Sequence, residues 1–221
     1  MMASAPFQAR RDALETYFDR TAAKAWEQLT SDAPVSGIRA TVRAGRDRMR
    51  ATLLDWLGDD LRGMRLLDAG CGTGALSIAA AERGAEVVAI DIAGNLVDVA
   101  RRRAGGLAIE WRVGDMLDPA LGHFDAVVAM DSLIHYRAED IAATAATLGA
   151  RTRSLLFTIA PRTPALAAMH AIGKLFPRGD RSPAIEPVAP ARLKRLLGGP
   201  VAREARVTSG FYISHALEWR P

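Results

Sequence analysis

Apolar positions in the first sixty residues recur at helical spacing, and then the rhythm changes. Leu14, Tyr17, Phe18, Thr21, Ala25 and Leu29 fall three and four residues apart, which predicts an amphipathic helix over about 10 to 30. Ile38, Val42, Met49, Leu53 and Leu57 predict a second over about 38 to 57, with Arg39, Arg43, Arg46 and Arg50 along its polar side. "SDAPVSG" between them is turn chemistry. From residue 65 short apolar runs alternate with helical stretches: "RLLDAG", "ALSIAAAERG", "AEVVAIDI", "NLVDVARRR", "LAIEWRVGD", "FDAVVAMD", "AEDIAATAATLGA" and "SLLFTIAP". Helices are expected near 165 to 175 and 190 to 197, before two closing segments, "VAREARVT" and "GFYISHALEW". This alternation implies an α/β fold: right-handed crossovers and a mainly parallel sheet covered on both faces. Ligands of such sheets bind beyond the carboxyl ends of the strands. "PRGDRSPAIEPVAP", residues 177 to 190, is irregular, either a connector or a lid. The pattern sets a helical stretch, 1–60, apart from an alternating α/β unit, 61–221, and the two helices outside the alternation are expected to close over a ligand site as a cap or lid.

Composition narrows the classes. With 221 residues, 49% hydrophobic and 24% charged, the chain suits one main globular domain. It has no apolar run long enough to span a membrane and no secretory signal, so a cytoplasmic location is expected. Cys71 is the only cysteine, which excludes an internal disulfide or a cysteine-based metal site. A net charge of +4 would suit an acidic substrate, an anionic membrane surface or nucleic acid. Arginine carries nearly all of it, and no compact basic block alternates with aromatics, so a nucleic-acid partner is not expected.

"LLDAGCGTGALSIAA" sets Gly70, Gly72 and Gly74 between a strand and a helix, where the backbone turns tightly and approaches a ligand. Read through Ala75, the same glycines also satisfy a dinucleotide fingerprint. Asp68 tilts the choice: a carboxylate there repels an arriving pyrophosphate but suits a ligand carrying ammonium and sulfonium charges. Asp91 ends the second strand, where it can accept both hydroxyls of a ribose, and "GDM", Gly114 to Met116, ends the third, with Asp115 set to accept from an adenine amine. Each acid also has a plainer reading, Asp68 as a cap for the next helix and the others as ordinary strand-end acids.

"DAGCGTG" with Asp91 and "GDM" resembles the class I methyltransferases that use S-adenosyl-L-methionine. The resemblance implies a Rossmann-like, seven-stranded, mainly parallel sheet. It also implies a cofactor site of Asp68, Gly70, Cys71, Gly72, Gly74, Asp91, Ile92, Gly114, Asp115 and Met116, with "AMDSLIHY" supplying Met130 and Asp131 as the floor. No protein-bound metal is expected. "YFDRTAAKAW", "IRATVRAGRDRMR", "VVAMDSLIHY" and "FTIAPRTPALAAMHAIGKLFPRGDRSPAI" are similar to the magnesium protoporphyrin IX O-methyltransferases of bacteriochlorophyll synthesis. That resemblance implies methylation of one propionate of magnesium protoporphyrin IX, with S-adenosyl-L-homocysteine as the other product. It implies catalytic roles for His135 and Tyr17, cooperation with magnesium chelatase, and loose attachment to the photosynthetic membrane. Arg39, Arg43 and Arg46 are candidates for the second propionate, or else a solvated face, and His170 is a candidate for the porphyrin pocket. The competing classes are another small-molecule or nucleic-acid methyltransferase, a nicotinamide oxidoreductase and a binding-only protein.

Overall fold

The computed structural model describes residues 11, 12, 14, 16, 17, 37–162 and 185–221. The short apolar runs form strands β1 (Arg65–Ala69), β2 (Glu86–Asp91), β3 (Ile109–Val113), β4 (Phe124–Ala129), β5 (Thr152–Ile159), β6 (Val201–Ser209) and β7 (Tyr212–Trp219). They make one sheet in the order β3-β2-β1-β4-β5-β7-β6. The first five strands pair in parallel, β7 joins β5 antiparallel, and β6 and β7 form a hairpin about Gly210 and Phe211. Strand order reverses at β1 and β4. Chains leaving their carboxyl ends diverge there, which opens the crevice that holds the site.

Period-two alternation sends neighbouring residues to opposite faces. Leu67, Val88, Val127, Leu155 and Leu217 pack with Ile141 and Leu148 of α4 (Ala138–Gly149) and Leu193 of α5 (Pro190–Leu197). Their neighbours Leu66, Val87, Ala126, Leu156 and Ala216 face the other way. These meet Met49 and Leu53 of α1 (Gly37–Leu57), Leu76 of α2 (Ala75–Glu82) and Val97 of α3 (Gly94–Arg103). Each fully buried Leu contributes roughly 1.5 to 3 kcal/mol, so both layers are needed to hold the sheet.

Helix α1 spans the range its periodicity predicts; Met49 and Leu53 of its apolar stripe join the core, and the helix packs on β6 and β7, whereas Ile38 at its start is exposed. Gly45 lets it come close: a Cβ there would lie 2.5 Å from the Tyr212 ring. Of the first predicted helix, residues 11, 12, 14 and 16 are helical, and Leu14 is buried in the core on the α4 side. Tyr17 apart, the rest of that helix, the one near 165 to 175, and 177–184 of the proline-rich stretch lie outside the described residues. The end of that stretch runs alongside the strand ends: Val188 bridges to Pro161, and the Glu186 N–H donates to the Ile134 carbonyl at 2.8 Å. Among the described residues, no helix is long and apolar enough to cross a membrane.

Candidate active site

The glycine turn after β1 is braced from β2. The Gly70 and Cys71 N–H groups donate to the Ile90 carbonyl at 2.8 and 3.0 Å, and the Gly72 N–H donates to Asp91 Oδ2 at 2.8 Å. Asp91 Oδ1 accepts from the Ala93 N–H at 2.9 Å, so this acid ties the loop to the start of α3. Gly70 has φ 86, and a Cβ on it would lie 2.4 Å from that of Ser132. Only glycine satisfies both the left-handed backbone and the close approach. The sequence-predicted Gly74, also left-handed, is the N-cap of α2 and packs on Trp111 and Ala100 rather than lining the cavity.

Asp68 is 2% exposed and accepts from the Ser77 hydroxyl, in the first turn of α2, at 2.6 Å. Burial is the main cause that pushes its pKa up to about 7, with the charge of Asp91 adding to it and the Ser77 bond opposing it. Burial likewise raises Asp91, against its backbone hydrogen bonds. Among the described residues neither acid has a salt-bridge partner, so a bound cation would relieve both. Burial holds the Cys71 thiol well above its ordinary value, which disfavours its thiolate while the wall stays closed.

These residues line a cavity of ≈ 280 Å³ at the reversal of strand order. Asp68, Gly70, Cys71, Gly72, Asp91, Ile92, Gly114, Asp115 and Met116 form the side expected for the cofactor, and Met130, Asp131 and His135 continue the wall. Asp115 accepts from the Leu117 N–H at 2.8 Å, and its other oxygen accepts from Arg11 at 2.8 Å, so the N-terminal stretch reaches the cavity at Asp115. His135 is 5% exposed.

The structure places the remaining candidates unevenly about this cavity. Arg43 lines the cavity with Arg46 and Arg50, so this stripe of α1 turns inward, whereas Arg39 is exposed and stands outside the lining. Arg46 pairs with Asp131 at 2.7 Å, as Arg50 does with Asp47 at 2.9 Å. Tyr17 is half-buried and not among the lining residues, and His170 lies outside the described ones. Sequence reasoning missed Ser77, Thr158, Tyr212 and Arg11; for Ser77 the signal was a lone hydroxyl within an otherwise apolar helix start.

Paired buried acids without a salt-bridge partner among the described residues, beside a glycine turn on this strand order, meet the needs of a positively charged donor. They define the class: an S-adenosylmethionine-dependent methyltransferase of class I. A methyltransferase-domain model matches residues 66–153, and a model described as magnesium-protoporphyrin IX methyltransferase C-terminus matches 129–221. The magnesium-protoporphyrin O-methyltransferase of Rhodobacter capsulatus is 52% identical over 216 residues, 96% of each chain. That of Synechocystis is 30% identical, over 91% of this chain and 92% of its own. The crystal structure of magnesium protoporphyrin IX methyltransferase from Synechocystis with bound SAH superposes with a TM-score of 0.85 at 29% identity, covering 95% of this chain and 99% of that one. The chain belongs to the magnesium protoporphyrin O-methyltransferase family.

Proposed function

We propose that this protein transfers the methyl group of S-adenosyl-L-methionine to a propionate carboxylate of magnesium protoporphyrin IX, giving the monomethyl ester and S-adenosyl-L-homocysteine. The observation that carries the reading is His135, a buried imidazole in the cavity wall within the stretch matched by the family's C-terminal model. When bound, the donor supplies an electrophilic methyl on a sulfonium, which Asp68 and Asp91 suit by charge. Gly70 to Gly72, Asp91, Ile92 and Asp115 hold the remainder, and the protein's main task is to keep a carboxylate oxygen about 3 Å from the methyl carbon and in line with its bond to sulfur. The oxygen–carbon bond forms as the sulfur–carbon bond breaks, the electron pair stays on sulfur, and the two charges cancel.

A propionic acid with a pKa of about 4 to 5 is ionised at neutral pH, so His135 acts first by orienting the carboxylate. Where burial beside the macrocycle keeps the acid protonated, His135 takes its proton. Arg43 and Arg50, on the inward face of α1, offer positive charge for the second propionate. Tyr17 retains a proposed role through closure of the N-terminal stretch, which already touches the site through Arg11 and Leu14. In that reading residues 1–60 act as a cap on the catalytic unit. Acceptance of substrate from magnesium chelatase and peripheral attachment at the photosynthetic membrane complete the reading, and co-sedimentation with each tests them. Incubation with magnesium protoporphyrin IX and S-adenosyl-L-methionine, followed by mass detection of one added methyl group, tests the reaction. No added methyl would overturn it.

A further inference from the structure

Asp131 is the one non-glycine among the described residues with positive φ, at 55°. A left-handed backbone costs a residue with a Cβ roughly 1 to 2 kcal/mol, and it persists where the surroundings over-determine it. Three elements do so here. From β5, the Thr158 hydroxyl accepts from the Asp131 N–H at 2.7 Å and donates to its Oδ1 at 3.1 Å. From α1, Arg46 donates to Oδ2 at 2.7 Å. From β7, the Tyr212 hydroxyl donates to both oxygens at 3.1 and 3.2 Å. The carboxylate is 5% exposed, so these bonds stand in for water around a buried charge. Burial, with the charge of Asp131, pushes the Tyr212 phenol up, which keeps it a donor.

The cluster has a built seat. The Tyr212 ring lies against the backbone of α1 at Gly45, and the next residue along the helix is Arg46, so one turn of α1 sets both partners of Asp131. On the far side Ser132 donates to the Ala69 carbonyl at 2.9 Å and packs on Gly70, while the Ile134 carbonyl receives the Glu186 N–H. Chain direction at Asp131 therefore governs how residues 132–135 cross from the glycine turn to the acceptor side. A glycine would adopt this φ without strain, so the charge is not there for the backbone alone.

We infer that Arg46 and Tyr212 are positioning residues: by gripping Asp131 they fix the turn that aims His135, and so couple the placement of α1 to the acceptor side of the cavity. The inference deepens the methyl-transfer reading and rests on His135 facing the acceptor.

The test compares Asp131→Gly, Asp131→Asn, Tyr212→Phe, Arg46→Met and Arg46→Lys in the full-length protein. Four quantities are read: homocysteine-product (SAH) affinity by calorimetry, kcat and KM for magnesium protoporphyrin IX, and the His135 ring resonances through a pH titration. Asp131→Gly accepts the backbone and deletes the grip. It should lower kcat by roughly ten- to a hundredfold, as a misplacement on the order of 1 Å does, with any loss of SAH affinity clearly smaller than the loss of kcat. Tyr212→Phe and Arg46→Met should each shift the His135 resonances and leave those of the exposed His123 in place, and Arg46→Lys should recover part of the loss. Wild-type kcat in Asp131→Gly, or a loss of SAH affinity equal to the loss of kcat, overturns the inference. A wild type that methylates no porphyrin defeats the proposed function alone. The His135 resonances then decide this inference, and if they are unmoved by Tyr212→Phe and Arg46→Met it falls.

Discussion

Replacing Asp68 by Asn separates two consequences of one buried carboxyl. Burial pushes its pKa from the ordinary 3.8 up to about 7. The folded, ligand-free protein therefore holds this proton through a range, about pH 4 to 7, in which the unfolded chain has released it. The raised group supports the fold fully below the lower value, and that support is lost as pH rises through the upper one. At about 1.4 kcal/mol per pH unit, the loss amounts to about 4 kcal/mol. Asparagine keeps the shape and an oxygen for the Ser77 hydroxyl but cannot ionise. Ligand-free Asp68→Asn should thus approach the wild type near pH 4 and exceed it by up to about 4 kcal/mol near pH 8. Affinity for the cationic donor should run the other way: in the wild type it strengthens as pH rises through about 7, and in the variant it is weak and nearly flat. Chemical denaturation of the ligand-free protein at stepped pH measures the first effect, and calorimetry with S-adenosyl-L-methionine at the same pH values the second. A stability difference that does not change with pH, or wild-type donor affinity in the variant near pH 8, refutes the reasoning.

His135→Ala should lower kcat of methyl transfer while SAH affinity stays nearly intact; turnover within a few-fold of wild type withdraws its catalytic role. Gly70→Ala combines a left-handed φ of 86 with a Cβ 2.4 Å from that of Ser132. Strain and overpacking together should cost about 2 to 5 kcal/mol in denaturant titrations and abolish measurable SAH binding. Gly45→Ala removes a poor helix former yet drives a methyl into the Tyr212 ring, so it should destabilise by about 1 to 3 kcal/mol despite the better propensity. A melting temperature at or above wild type would count against that packing. Deleting residues 1–37 should sharply weaken porphyrin binding, measured by Soret absorbance, and unchanged affinity would defeat the capping role.

Local signals carried most of the architecture. The switch from three- and four-residue spacing to short apolar runs marks where α1 ends and β1 begins, and the glycine turn with Asp68, Asp91 and Asp115 is encoded within each strand–turn–helix unit. The two closing segments were legible as segments, but their antiparallel pairing about Gly210 and Phe211 needed the fold. What escaped the sequence is non-local or ambiguous. Thr158, Tyr212 and Arg46 converge on Asp131 from 27, 81 and 85 residues away, and no spacing rule links them. The arginine stripe of α1 reads equally as a solvated face until the sheet shows that Met49 and Leu53 point inward and Arg43, Arg46 and Arg50 border the cavity. Asp68 was legible as an acid near a cation. Its bond to Ser77, which makes it part helix anchor, needed the fold.

Cys71, the sole sulfhydryl of the chain, sits shielded in the wall of the cavity. Its position turns a colourimetric thiol reagent into a clock with a single hand. Labelling proceeds only when that wall opens, and no second cysteine contributes background. A ligand seated against Gly70 and Gly72 should slow the reaction, so occupancy can be followed by absorbance without any turnover, porphyrin or isotope.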